Sequence, residues 1–151
     1  MNYLIRKMDE TDLDSVFAIE NESTHDTWDI ETFRYAIYKE DAFVLINDFN
    51  NEICGFLFGI QTLDEYSISN IAIKEKYKRQ GLAFYLISQI ISAKPNHYSF
   101  FLEVRKTNLP AIKLYEKLGF KNLYIRKSYY HNPTEDAIVM GLIREKESED
   151  V

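Results

Sequence analysis

Residues 65 to 104 constrain this chain more than any other stretch. EYSISNIAI (65–73) alternates at first and is apolar at its end, the pattern of a strand. From Gly81 the period changes. Leu82, Leu86 and Ile90 recur at i+4, with Ala83, Ile87 and Ile91 in the neighbouring row, a wide apolar stripe on a helix that Pro95 stops. SFFLEV (99–104) is then a nearly continuous apolar run, which suits a strand covered on both faces. A strand, a helix and a second strand in this order form a crossover unit, right-handed by default.

The flanking segments complete an α/β chain with a mixed sheet. YLIRKM (3–8) reads as a first strand, and Asp9 or Thr11 can cap a helix through LDSVFAIENE. Trp28 falls in a loop, and Asp29 can cap a second helix, IETFRYAIYKE. AFVLIND and EICGFLFGIQ are a hairpin, with DFNN supplying the turn residues. Asn108 can cap a last helix that has Pro110 in its first turn and Gly119 just past its end. KNLYIRKSYY and EDAIVMGLI close the chain as a strand pair, and the charged REKESED forms a tail expected to stay disordered.

With 151 residues, one domain is expected. The net charge of -6 opposes non-specific nucleic-acid binding and suits a cationic substrate. Cys54 is the sole cysteine, so no internal disulfide forms and a reducing compartment is the simple reading. The start lacks the apolar core of a signal peptide, and ICGFLFGI is too short to span a bilayer. A cytoplasmic protein with no membrane partner is expected, and a monomer is favoured.

Three places can carry chemistry. At KRQGLA (78–83) basic residues run straight into a helix start. The first amides of a helix lack internal partners and sit at the positive end of its dipole, and Gly81 lets a ligand approach without a Cβ in the way. Lys74, Lys76, Lys78 and Arg79 add charge, so this is either an anion site or a solvated basic loop. No glycine pattern of the nucleotide-binding loops occurs. Glu103 lies in the apolar SFFLEV, where desolvation would make it a base; the plainer reading pairs it with Arg105 or a lysine. Tyr115 shares a helix side with Ile112, and its plain reading is a core residue whose hydroxyl finds a partner. His25, His97 and His131 are scattered, so no metal site is expected.

In order, SNIAI, KRQGLA, an amphipathic helix, LEVRKTN and AIKLYEKLGF resemble the acetyl-CoA-dependent N-acetyltransferases of the GNAT superfamily. The family signature Arg/Gln-x-x-Gly-x-Gly/Ala here reads Lys78-Arg79-Gln80-Gly81-Leu82-Ala83, departing at Lys78. FLEVRKTNLPAIKLYEKLGF and YY…EDAIVM are similar to the bacterial ribosomal-protein alanine N-acetyltransferases, the RimI branch of that family. The resemblance implies a mixed, mostly antiparallel sheet with a central splayed parallel strand pair and about four helices, in one domain over residues 1–143 with a tail at 144–151.

It also implies roles. Amides of Arg79, Gln80, Gly81, Leu82 and Ala83 would hold the CoA pyrophosphate, with Lys78 beside them. Backbone of Ile71 and Ile73 would pair with the pantetheine, and Asn108 would touch its arm. Glu103 would be the general base and Tyr115 the general acid. Trp28, Tyr129 and Tyr130 would line a peptide groove, though the same aromatics could simply cover core. The implied acceptor is the N-terminal alanine of a small-subunit ribosomal protein. An α-amine with a pKa of ~8 needs only a modest base, and direct attack explains why no nucleophile stands out. Two other functions fit the same residues: acetylation of a small-molecule amine, and a non-catalytic acyl-CoA-binding sensor.

Overall fold

The computed structural model of the chain describes residues 2–23 and 27–144; His25 and the tail from 145 onward lie outside the described residues. The elements follow the expected order: β1 (Tyr3–Lys7), α1 (Leu13–Glu20), α2 (Ile30–Lys39), β2 (Asp41–Asn47), β3 (Glu52–Thr62), β4 (Glu65–Ile73), α3 (Leu82–Ala93), β5 (Ser99–Arg105), α4 (Leu109–Lys117), β6 (Lys121–Tyr130) and β7 (Glu135–Leu142). Short 3-10 turns precede α1 at Glu10–Asp12 and α3 at Glu75–Tyr77.

Local chemistry explains the helix starts. Asp9 accepts from the Thr11 amide at 2.8 Å, and Asp12 reaches back to the Asp9 amide at 2.9 Å, closing a capping box. Asp29 accepts from the Thr32 amide at 2.8 Å to start α2. Asn108 accepts from the Ala111 amide at 3.3 Å to start α4.

One seven-stranded sheet runs in the order β1-β2-β3-β4-β5-β7-β6. All neighbours are antiparallel except β4 and β5. α1 and α2 bury Val16, Ile19 and Phe33 with Phe56 and Phe58 of β3 in one core. α3 and α4 bury Leu86, Ile90, Ile112 and Tyr115 with Leu102 and Val104 of β5 in a second. SFFLEV was expected to be covered on both faces, and it is not. Phe100, Leu102 and Val104 are buried, while Phe101 and Glu103 between them stay half-buried. α1 and α2 lie over β2 and β3, so that face of β5 remains partly open.

The parallel pair is short. β4 and β5 are in register only over Glu65–Ser99, Tyr66–Phe100 and Ser67–Phe101. Opposite this pair, β3 and β4 shift register: Phe58 faces Asn70 and Gly59 faces Ile68, leaving Ser69 as the extra residue of a bulge. A bulge raises local twist and bends its strand. β4 therefore stays with β3 through Ile73 while β5 stays with β7 through Arg105, and the two part in a V.

Beside the bulge, the backbone of Gly59 touches the buried Tyr66. A Cβ on Gly59 would sit 2.2 Å from the Tyr66 ring. We expect Gly59→Ala to cost about 2 kcal/mol by overpacking and to lower Tm by about 6 °C, read by thermal denaturation; an unchanged Tm would mean the ring has room to retreat.

Candidate active site

The V opens into a cleft of about 1140 Å³ walled by β4, β5, the start of α3, α4, the loop carrying Trp28 and the end of β6 at Tyr129–Tyr130. Pockets for small ligands are mostly of this order or smaller. Among the described residues, Trp28, Ile71, Ile73, Lys78, Arg79, Gly81, Leu82, Ala83, Glu103, Asn108, Tyr115, Tyr129 and Tyr130 all line it. Gln80 does not: its side-chain oxygen accepts from the Tyr3 hydroxyl at 3.3 Å, toward β1.

The backbone at KRQGLA is bent, and its amides from Arg79 on are unpartnered among the described residues. Arg79 and Gly81 are both left-handed, with φ of 64° and 75°. The first bond back into the turn is from the Tyr85 amide to the Gly81 carbonyl at 3.0 Å, so the amides of Arg79 through Ala83 keep no acceptor among the described residues. A Cβ placed on Gly81 would meet nothing within 4 Å, so this turn faces open space. The expected cluster of free cations differs. Lys74 and Lys76 both pair with Glu52, at 2.9 and 2.8 Å, and Lys78 pairs with Glu75 at 2.9 Å. Lys76, Lys74 and the Tyr77 hydroxyl hold the Glu52 carboxyl down to about 2. Arg79 makes no ion pair among the described residues, so any attraction for an anion at this turn would come from Arg79 and the amides.

Glu103 and Tyr115 approach the V from opposite sides of β5. Tyr115 packs with Leu102 and Val104, and by strand alternation Glu103 projects from the other face. The expected Glu103–Arg105 pair does not form. Glu103 lies 3.7 Å from Arg126 of β6, and its side chain is 30% exposed rather than embedded. Arg105 instead holds the β6–β7 loop: it donates to the Pro133 and His131 carbonyls at 2.9 and 2.8 Å, pairs with Glu135 at 3.2 Å and stacks 4.5 Å from the Tyr130 ring. Tyr115 is buried against Phe120, and burial pushes its phenol up to about 12. Its hydroxyl has no hydrogen-bond partner among the described residues and borders the cleft.

All three aromatic residues line the cleft, and Trp28 also packs on the core. Trp28 stacks 5.2 Å from Phe33 and 5.1 Å from Phe58 while still lining the cleft. Tyr129 and Tyr130 meet edge to face at 5.1 Å. Sequence reasoning missed Glu20 and Asn70, which also line the cleft. A signal existed: Glu20 follows Val16 by four and Ile19 by one, a charge on the buried side of α1.

The model of the acetyltransferase (GNAT) family matches residues 13–120. A ribosomal protein bS18-alanine N-acetyltransferase of Escherichia coli is 35% identical over 150 residues, covering 91% of this chain and 95% of the relative. An N-alpha-acetyltransferase of Sulfurisphaera tokodaii is 28% identical, with 92% of each covered. The crystal structure of an Escherichia coli ribosomal-protein alanine N-acetyltransferase superposes with a TM-score of 0.89 at 32% identity, over 99% of both chains. The chain belongs to the GNAT family as an acetyl-CoA-dependent N-acetyltransferase of the RimI kind.

Proposed function

We propose that this chain transfers acetyl from acetyl-CoA to the N-terminal α-amine of a protein, the alanine at the start of ribosomal protein bS18, in the cytoplasm. The observation that carries the reading is the similarity to the bS18-alanine enzyme across nine-tenths of the chain, joined to a cleft that both Glu103 and Tyr115 line.

The cleft fits the co-substrate by its chemistry. Acetyl-CoA supplies an activated thioester and a pyrophosphate. The unpartnered amides of Arg79 to Ala83 suit the pyrophosphate. β4 lacks a neighbour on its β5 side beyond Ser67, so the backbone of Ile71 and Ile73 suits an extended amide-bearing arm. Asn108 borders the same path, although its side chain is engaged in capping α4.

Glu103 accepts the proton of the acceptor amine, directly or through water. The amine nitrogen bonds to the thioester carbonyl carbon and sheds its remaining excess proton to water, the C–S bond breaks, Tyr115 donates its phenolic proton to the departing sulfur, and water returns a proton to the phenolate. The raised phenol keeps that proton across the physiological range, as a donor requires. Positioning does the rest, and no covalent enzyme intermediate is needed.

The test is incubation with acetyl-CoA and a peptide copying the alanine-starting end of bS18, beside an N-blocked control that keeps its lysines. One added acetyl group on the free peptide alone, by intact mass, is expected. Transfer to small amines only would move the acceptor to that class, and binding of acetyl-CoA without turnover on any amine would leave a sensor.

A further inference from the structure

Glu20 is the last residue of α1 and is 6% exposed. One carboxylate oxygen, Oε2, accepts two hydrogen bonds from two walls of the cleft. The Trp28 amide donates at 3.1 Å and Asn70 Nδ2 donates at 2.8 Å. It makes no ion pair among the described residues, and burial raises its pKa against the two hydrogen bonds that lower it. A carboxylate in such a place is costly to keep unless its bonds matter.

What the bonds join is specific. Trp28 is held by its ring, which stacks on Phe33 and Phe58, and by its amide, which Glu20 holds. Asn70 directly follows the bulged Ser69, where β4 has turned away from β5. Glu20, Trp28 and Asn70 all line the cleft. The carboxylate therefore ties the loop on the acceptor side to the bent end of the strand that borders the V.

We propose that Glu20 is a positioning residue for the acceptor: its carboxylate clamps the Trp28 segment onto β4 and so sets the width of the groove by which the amine reaches the V. This role rests on the acetyl-transfer reading above. It predicts a loss confined to the acceptor, since Glu20 makes no hydrogen bond or ion pair with the turn of Arg79 to Ala83 among the described residues.

Steady-state kinetics with acetyl-CoA and the alanine-starting peptide test it on the full chain. Glu20→Ala should raise the peptide KM about tenfold, the worth of one charge-assisted hydrogen bond, with the acetyl-CoA KM held within about twofold. Glu20→Gln keeps an oxygen that both donors can reach and should restore most of the loss. Trp28 is the sole tryptophan, so its fluorescence reports the loop directly; acrylamide should quench it more in Glu20→Ala and as in the wild type in Glu20→Gln. Asn70→Ala, which removes the second tie, should raise the peptide KM in the same direction and carries the test if Glu20→Ala does not fold. Unchanged peptide KM and quenching in Glu20→Ala, an equal rise in both KM values, or a Glu20→Gln as impaired as Glu20→Ala would each overturn the role. A wild-type chain inert toward the peptide would instead overturn the α-amine reading on which it rests.

Discussion

Glu103→Gln lowers kcat/KM for the alanine-starting peptide about a hundredfold at pH 7, the usual worth of a positioned base, and the deficit narrows as pH rises. The substitution keeps shape and hydrogen-bonding reach, so only the proton acceptor is lost. The sign follows from the acceptor. An α-amine titrates at ~8, so below that pH the enzyme meets mostly ammonium and needs a group to take its proton. Above it the free amine is already present and the base matters less. The ion pair with Arg126 does not confuse the outcome, because both partners are substantially exposed and such pairs contribute little to folding. Initial rates from about pH 6 to pH 9.5 on both forms decide it. A deficit that stays constant with pH, or none, would remove Glu103 from proton transfer.

Tyr115→Phe lowers kcat about a hundredfold while leaving the fold and acetyl-CoA affinity intact, again by the magnitude expected of a general acid. The ring stays packed against Phe120 and only the hydroxyl goes. That hydroxyl carries no structural hydrogen bond among the described residues, so its loss orphans no buried partner. With its phenol pushed up to about 12, Tyr115 holds its proton throughout the assay range. No descending limb of the pH profile below about pH 10 should belong to it. Single-turnover acetyl transfer beside a direct cofactor-binding measurement separates the two quantities. Wild-type kcat in Tyr115→Phe would return the residue to the core role that its burial alone would suggest.

How much of this was legible beforehand depended on range. Every helix and strand was visible, because caps such as Asp29 and Asn108 and the i+4 row Leu82–Leu86–Ile90 are local signals. The KRQGLA turn was legible for the same reason. The V itself was not readable from the residues and came only with the family resemblance. The bulge at Ser69 has no glycine or proline on its own strand to announce it, and the register of β4 against β5 is set by contacts far apart in sequence. The same distance hid the pairing of Glu103 with Arg126 rather than Arg105. Lysines near a helix start suggested attraction for an anion, yet Glu52 arrives from the start of β3 to neutralise two of them. Composition along the chain cannot reveal a partner that arrives from another strand.

The short register of β4 with β5 has a mechanical meaning. Three paired positions are the direct strand contact between a four-stranded wing, β1 to β4, and a three-stranded wing, β5 to β7. An extended amide-bearing arm laid into the V would supply hydrogen bonds that the sheet omits, acting as a removable slat between the wings. Binding the co-substrate then stiffens the scaffold, because whatever pairs with the native edges and not with the unfolded chain adds to stability by mass action. Release of the product would hand that rigidity back, and each turnover would pass the protein between a hinged and a continuous sheet.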